Sequence, residues 1–168
     1  DRMPVIHRPD IVWRAGIDLH PLDPADPATH AWRTGLVWPG EYGREQRVRD
    51  ALAIATADPP RLVAGDGANL LAAVAASAPK DATLVVQTPG VLAHIPWPAR
   101  HELIAAVRHL GRWITLDAPG LHEGWNVPID PDSWPGGFAV ALDGELLAAA
   151  DPLGGWWEWQ PGTAPAAR

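Results

Sequence analysis

The chain has 168 residues, 47% of them hydrophobic, a formal net charge of −7 and no cysteine. That length fits a single domain with a real core, and the lack of cysteine excludes disulfides, a thiolate nucleophile and a cysteine-type zinc site. Scattered basic residues exclude the clustered basic face that a nucleic-acid backbone needs, and no apolar run approaches the ~20 residues that span a bilayer, so a cytoplasmic protein with no nucleic-acid or membrane partner is the expectation.

Residues 1–10, with Pro4 and Pro9, read as an extended lead-in. Residues 11–19 read as the first strand, a β-branched apolar run that reaches Gly16 and ends at Asp18. Buried parallel strands that deliver one carboxylate to the carboxyl edge of a sheet are worded this way, and open α/β sheets bind ligands at that edge. A carboxylate there can accept both hydroxyl protons of a ribose; a plain strand ending in a solvated aspartate has the same wording. His20-Pro21, Asp23 and Asp26 open a long connection over residues 21–42. It holds a short helix with Asp26 as N-cap and Pro27 at its first position, and its length suits a lid, a substrate loop or a disordered insertion.

A helix is predicted over 41–58, with Val48, Ala51, Leu52 and Ala55 at i, i+3, i+4 and i+7; Pro59-Pro60 ends it. Residues 61–67 form a short strand that carries Gly65 and a second strand-end carboxylate, Asp66. The helix at 68–78 turns Leu70, Leu71 and Val74 inward, and Asp66 is equally placed to cap it. Residues 82–88 are the most buried-looking strand and end in Gln87-Thr88. Pro89-Gly90 breaks it and His94 follows. A helix over 99–110 carries Leu103, Val107 and Leu110 as its stripe, with Gly111 as C-cap. A strand over 112–116 ends near Asp117, and residues 118–137 read as loop. Asp143-Gly144 between apolar runs 138–142 and 145–149 is a strong hairpin signal. Residues 156–159 add an edge strand, and a frayed tail follows from 162.

Alternating strands and helices predict one α/β domain with a mostly parallel open sheet, helices on both faces and a C-terminal antiparallel hairpin. His94 and His20 are the placed candidates for a base, and each also reads as an ordinary loop histidine. His20, Asp18 and Asp23 match no familiar metal spacing, so no metal site is expected. Ser77 and Ser133 are the only serines, and neither stands in a nucleophile elbow. The tryptophans from Trp125 to Trp134 and Trp156 to Trp159 suit either packing or the stacking of a sugar or base.

This order of elements resembles the S-adenosylmethionine-dependent methyltransferase fold from its second strand onward. Ala15-Gly16-Ile17-Asp18 looks like that fold's ribose-holding acid, Val63-Ala64-Gly65-Asp66 like its adenine-side acid, and Gln87-Thr88-Pro89 stands where it keeps a substrate-side motif. The local wording is similar to a bacterial family catalogued as domain of unknown function 2332: Arg14 to Asp23, Val37-Trp38-Pro39, Arg44 with Arg47, Gly65-Asp66, the Asp143-Gly144 hairpin and the closing Trp156 to Trp159. The methyltransferase resemblance implies S-adenosylmethionine as cofactor, held by Asp18, Asp66, Gly16, Gly65 and Gln87, and methyl transfer to an acceptor that the sequence does not identify, with a small-molecule substrate or cofactor as the expected partner. The family's Gly-rich first strand does not precede Ile11, so the chain is expected to be the C-terminal part of a larger domain. Gln87-Thr88 replaces an expected His-Ser pair, Leu116-Asp117 an expected acid position, and Leu153 an expected histidine. A second expectation is a non-catalytic α/β interaction module, self-associating or pairing with the missing N-terminal part through an open strand. A third is a small-molecule or carbohydrate binder working through the Trp-rich loops.

Overall fold

A computed structural model describes residues 7–121, 129, 130, 132 and 134–159. Where α-helices separate two paired strands, the pair is parallel; where none does among the described residues, it is antiparallel. Parallel neighbours need a crossover to bring the chain back to the same end, whereas antiparallel neighbours need only a turn. The chain divides into two compact units, Asp10–Val74 and a second that joins the segment up to Pro9 with the chain from Ala75 onward.

In the first unit β1 (Ala15–Asp18) pairs in parallel with β2 (Arg61–Ala64), with Asp18 opposite Ala64. Between them run α1 (Pro27–Gly35) and α2 (Arg44–Ala57), which pack on each other. Asp26 caps α1 as predicted, its carboxylate accepting the Ala28 N–H at 2.9 Å, and Pro27 stands in the first turn, where its missing N–H costs nothing. The Thr56 hydroxyl donates to the Pro24 carbonyl at 2.7 Å and so ties α2 to the entry of α1. Three members of the predicted α2 stripe, Val48, Leu52 and Ala55, are half-buried, while Ala51 is exposed. After β2 the chain enters α3 (Gly67–Ala76), which buries Val74.

The second unit is a five-stranded sheet in the order β3-β4-β5-β6-β7. β3 (Val85–Pro89) and β4 (Arg112–Asp117) are parallel and joined through α4 (Trp97–Leu110), which packs on β4. β5 (Phe138–Leu142), β6 (Glu145–Ala150) and β7 (Trp157–Trp159) continue antiparallel. Asp143 (φ 54°) and Gly144 (φ 86°) both take positive φ, the conformation a two-residue hairpin needs. Val140, Ala148 and Ala150 form a buried cluster completed by Leu116 and Trp159. On α4, Leu103 and Val107 are buried as the stripe requires.

The α/β class and nearly every predicted element are present. The expected single, mostly parallel sheet is corrected: the described residues form two sheets, and three of the four pairings in the larger one are antiparallel. Among the described residues no α-helix follows β4, and the pairings beyond it are antiparallel. The first strand is shorter than expected because only four residues meet a partner. Helix α4 starts two residues early, since Pro98 is tolerated in a first turn. Trp125 and the tail from 162 lie outside the described residues.

Candidate functional site

Parallel pairing of β1 with β2 has a direct consequence for the two strand-end acids. Asp18 sits opposite Ala64, and the Gly65 N–H donates to the Asp18 carbonyl at 2.9 Å. Asp66 therefore follows two residues past Asp18's partner, and both acids leave the same carboxyl rim. Both are exposed. One oxygen of each is used locally: Asp18 Oδ1 accepts the His20 N–H at 2.8 Å, and Asp66 Oδ1 accepts the Ala68 N–H at 2.7 Å in the first turn of α3. The capping role read for Asp66 is thus realised. Among the described residues no hydrogen bond reaches the second oxygen of either. A carboxylate fixed by one oxygen and open at the other is a pre-oriented acceptor.

The two candidate glycines have packing reasons to be glycine. A β-carbon on Gly16 would come within 3.1 Å of Leu62 Cδ2 on the neighbouring strand. Gly65 has φ 142°, and its β-carbon would meet Leu70 Cδ1 at 2.6 Å. His20 is exposed immediately beyond Asp18. Among the described residues no three His, Asp or Glu side chains converge in a way that could hold a metal ion, and no helix is long and apolar enough to cross a membrane.

In the second unit Gln87 is exposed on β3, opposite Ile114. His94 is exposed at the end of a 3-10 turn, Leu92–His94, that follows β3. The group that sequence reasoning missed here is Asp117. It ends parallel strand β4 and is only 1% exposed. Its carboxylate accepts the Thr115 hydroxyl at 2.8 Å and the Leu92 backbone N–H, with the charges of Arg100 and His94 nearby. It therefore fastens the turn that carries His94 to the end of β4. Arg100 donates to the Ile95 carbonyl at 3.1 Å, and its buried Nε finds no partner among the described residues. Strand alternation was the available signal. Trp113, Thr115 and Asp117 share one face, and all three are buried. Ile114 and Leu116 make the opposite face apolar too, so alternation alone does not say which face is covered.

Burial is the largest influence on Asp117 and pushes its carboxyl above the ordinary 3.8, against the opposing pull of Thr115, Leu92, Arg100 and His94. A raised folded-state pKa stabilises the fold fully below 3.8, and this stabilisation is lost as pH rises through the folded-state value. Asp117→Asn keeps an acceptor for Thr115 and has no charge to desolvate. Its stability relative to the parent chain should therefore climb from pH 3.8 toward neutrality and then level off. Paired urea titrations across that range measure the difference, and a flat or falling difference contradicts the assignment.

These features define a mixed α/β protein whose polar groups gather at the carboxyl ends of its parallel strands. The chain belongs to the family described as "Uncharacterized protein conserved in bacteria (DUF2332)", whose model matches residues 1–159. No curated protein and no solved structure matches it. The family description assigns no activity, and no solved neighbour likens the fold to a methyltransferase.

Proposed function

We propose that the β1–β2 rim binds a ribose-bearing ligand of the S-adenosylmethionine type through Asp18 and Asp66, in the service of methyl transfer. The observation that carries this reading is the parallel register, which sends both carboxylates off one rim with an oxygen each to spare. Vicinal ribose hydroxyls donate to one such carboxylate, and an adenine amine to another. Gly16 and Gly65 let the strands and α3 approach closely beneath them. These residues fit the nucleoside end of the ligand; the described residues offer no Gly-rich turn for its amino-acid end.

The bound group supplies an electrophilic methyl on a sulfonium. The chain's own share is to hold and orient the nucleoside, and, through His20, to take a proton from an acceptor that must lose one. Calorimetry with S-adenosylmethionine and its demethylated product is expected to show micromolar binding. Asp18→Ala should weaken it by roughly 10- to 100-fold, the worth of hydrogen bonds to a charged group. No heat with either compound ends the proposal.

A second reading, an interaction module, draws on a different observation. β1–β2 is a two-stranded parallel sheet, and neither its strands nor α2 contains a fully buried residue. Ile11, Val12, Leu19, Trp32 and Ile54 are 62–66% exposed. Parallel strands are normally covered on both faces, and an open strand edge accepts a strand from another polypeptide. Sedimentation that shifts with concentration favours this reading; a monomer at every concentration counts against self-association.

A further inference from the structure

We infer that the open edge of β3 is a self-association surface, on which two copies of this chain pair their β3 strands antiparallel about a two-fold axis at Val86. The inference concerns the second unit and does not depend on the β1–β2 rim.

β3 and β7 end the five-stranded sheet, and they end it differently. Edge strands are kept from pairing with other chains by shortness, charge, proline or a bulge. β7 is three residues long and carries Glu158. β3 has five residues, pairs with β4 in unbroken register, and has its proline only at the last position, Pro89. Residues 82–93 carry no charged side chain. Val85 is 42% exposed, and Gln87 is exposed beside it on the same face.

The ladder fixes which backbone groups face outward. Along a strand in a parallel pair, alternate residues turn both N–H and C=O toward the same neighbour. At one end the Leu84 carbonyl accepts the Arg112 N–H at 3.0 Å; at the other the Gly90 N–H donates to the Leu116 carbonyl at 2.8 Å. Residues 84, 86, 88 and 90 therefore face β4, and residues 85 and 87 face away. Among the described residues no hydrogen bond reaches the backbone of Val85 or Gln87 on that side.

The spacing of those groups selects the partner. A two-fold axis at Val86 sets Val85 opposite Gln87 of the second copy, and Gln87 opposite its Val85. Opposite residues in such positions of an antiparallel pair exchange both N–H···O bonds, so every outward group of the two residues is satisfied. Pro89, the next outward position, has no N–H to leave unpaired. A two-fold contact must be self-complementary, and an edge without charge meets no like charge on its own copy. The net charge of −7 lies elsewhere on each chain and opposes approach at long range.

The paired segment is short, so a dimer is expected with a dissociation constant of about 0.1–1 mM. Sedimentation equilibrium of the whole chain up to millimolar concentration measures it, and amide hydrogen exchange locates it. Val85 and Gln87 should gain protection as concentration rises, and salt should strengthen the dimer by screening the net charge. Gln87→Pro removes an outward N–H and takes nothing from the β4 ladder. Val85→Lys sets like charges diagonally across the axis. Each should return the chain to a monomer at every concentration, with circular dichroism unchanged to show that the fold survives. A parent chain that stays monomeric, a dimer that persists in both variants, or one that salt weakens overturns the assignment. Protection that grows on β1 or β2 in place of Val85 and Gln87 overturns it too, and moves the contact to the first unit.

Discussion

Trp113→Ala is expected to lower the free energy of unfolding by about 3–5 kcal/mol, the range for truncating a buried aromatic. Trp113 heads the fully buried side chains by volume and is 1% exposed. Its indole N–H donates to the Thr88 hydroxyl at 2.9 Å, so one side chain spans the parallel pair β4–β3 from within. Its backbone serves the other side of the sheet: the N–H donates to Asp143 Oδ1 at 2.7 Å, and the carbonyl accepts the Asp143 N–H at 2.7 Å. Alanine would leave a cavity where the indole was and remove the donor from a buried threonine, two costs that add. Trp113→Phe keeps most of the volume and loses the N–H, so its cost should be smaller. A double-mutant cycle with Thr88→Val isolates the hydrogen bond, with an expected coupling of about 0.5–3 kcal/mol. Urea unfolding measures all of these. A loss below about 1 kcal/mol for Trp113→Ala would place that side chain outside the core.

Gly111→Ala should cost about 1–3 kcal/mol, as overpacking does where the neighbour cannot yield. The reason is not backbone freedom. Gly111 has φ 178°, an extended conformation open to any residue. A β-carbon there would lie 2.5 Å from the Leu84 carbonyl oxygen and 3.1 Å from Leu84 Cβ. That carbonyl is already committed, accepting the Arg112 N–H at 3.0 Å. Backbone held by its own hydrogen bond cannot swing aside as a side chain end would. The last turn of α4 or the start of β4 must move instead. Gly35 is the matched control: nothing lies within 4 Å of a β-carbon there. Gly35→Ala near the end of α1 should be neutral or stabilising, by up to about 1 kcal/mol. Equal thermal midpoints for the two variants would refute the close-contact account of Gly111.

Much of this arrangement was legible residue by residue. Asp26-Pro27 announced the start of α1 because a capping oxygen and a missing N–H are both local requirements. Asp143-Gly144 announced a hairpin because two successive positive φ angles suit few dipeptides. The shared rim of Asp18 and Asp66 was also readable, since a helical crossover returns the chain to the same end of a sheet and lets neighbouring strands run parallel. The choice between capping and ligand binding at Asp66 was less so, and its Oδ1 does cap while its other oxygen has no hydrogen bond among the described residues.

The direction of the sheet beyond β4 and the burial of Asp117 were hidden. In Arg112-Trp-Ile-Thr-Leu-Asp117 both strand faces carry apolar groups, so alternation leaves open which face is covered. The more deeply buried face took tryptophan, threonine and aspartate, because Thr88, Thr115 and the Leu92 N–H satisfy their polar atoms there. Sequence by itself determined the elements, their turns and the helix-linked parallel pairs, because those depend on neighbours a few residues apart or on the crossover between strands. Only the tertiary structure decided which strands joined which sheet and which carboxylate left water, because both depend on partners brought together from distant parts of the chain.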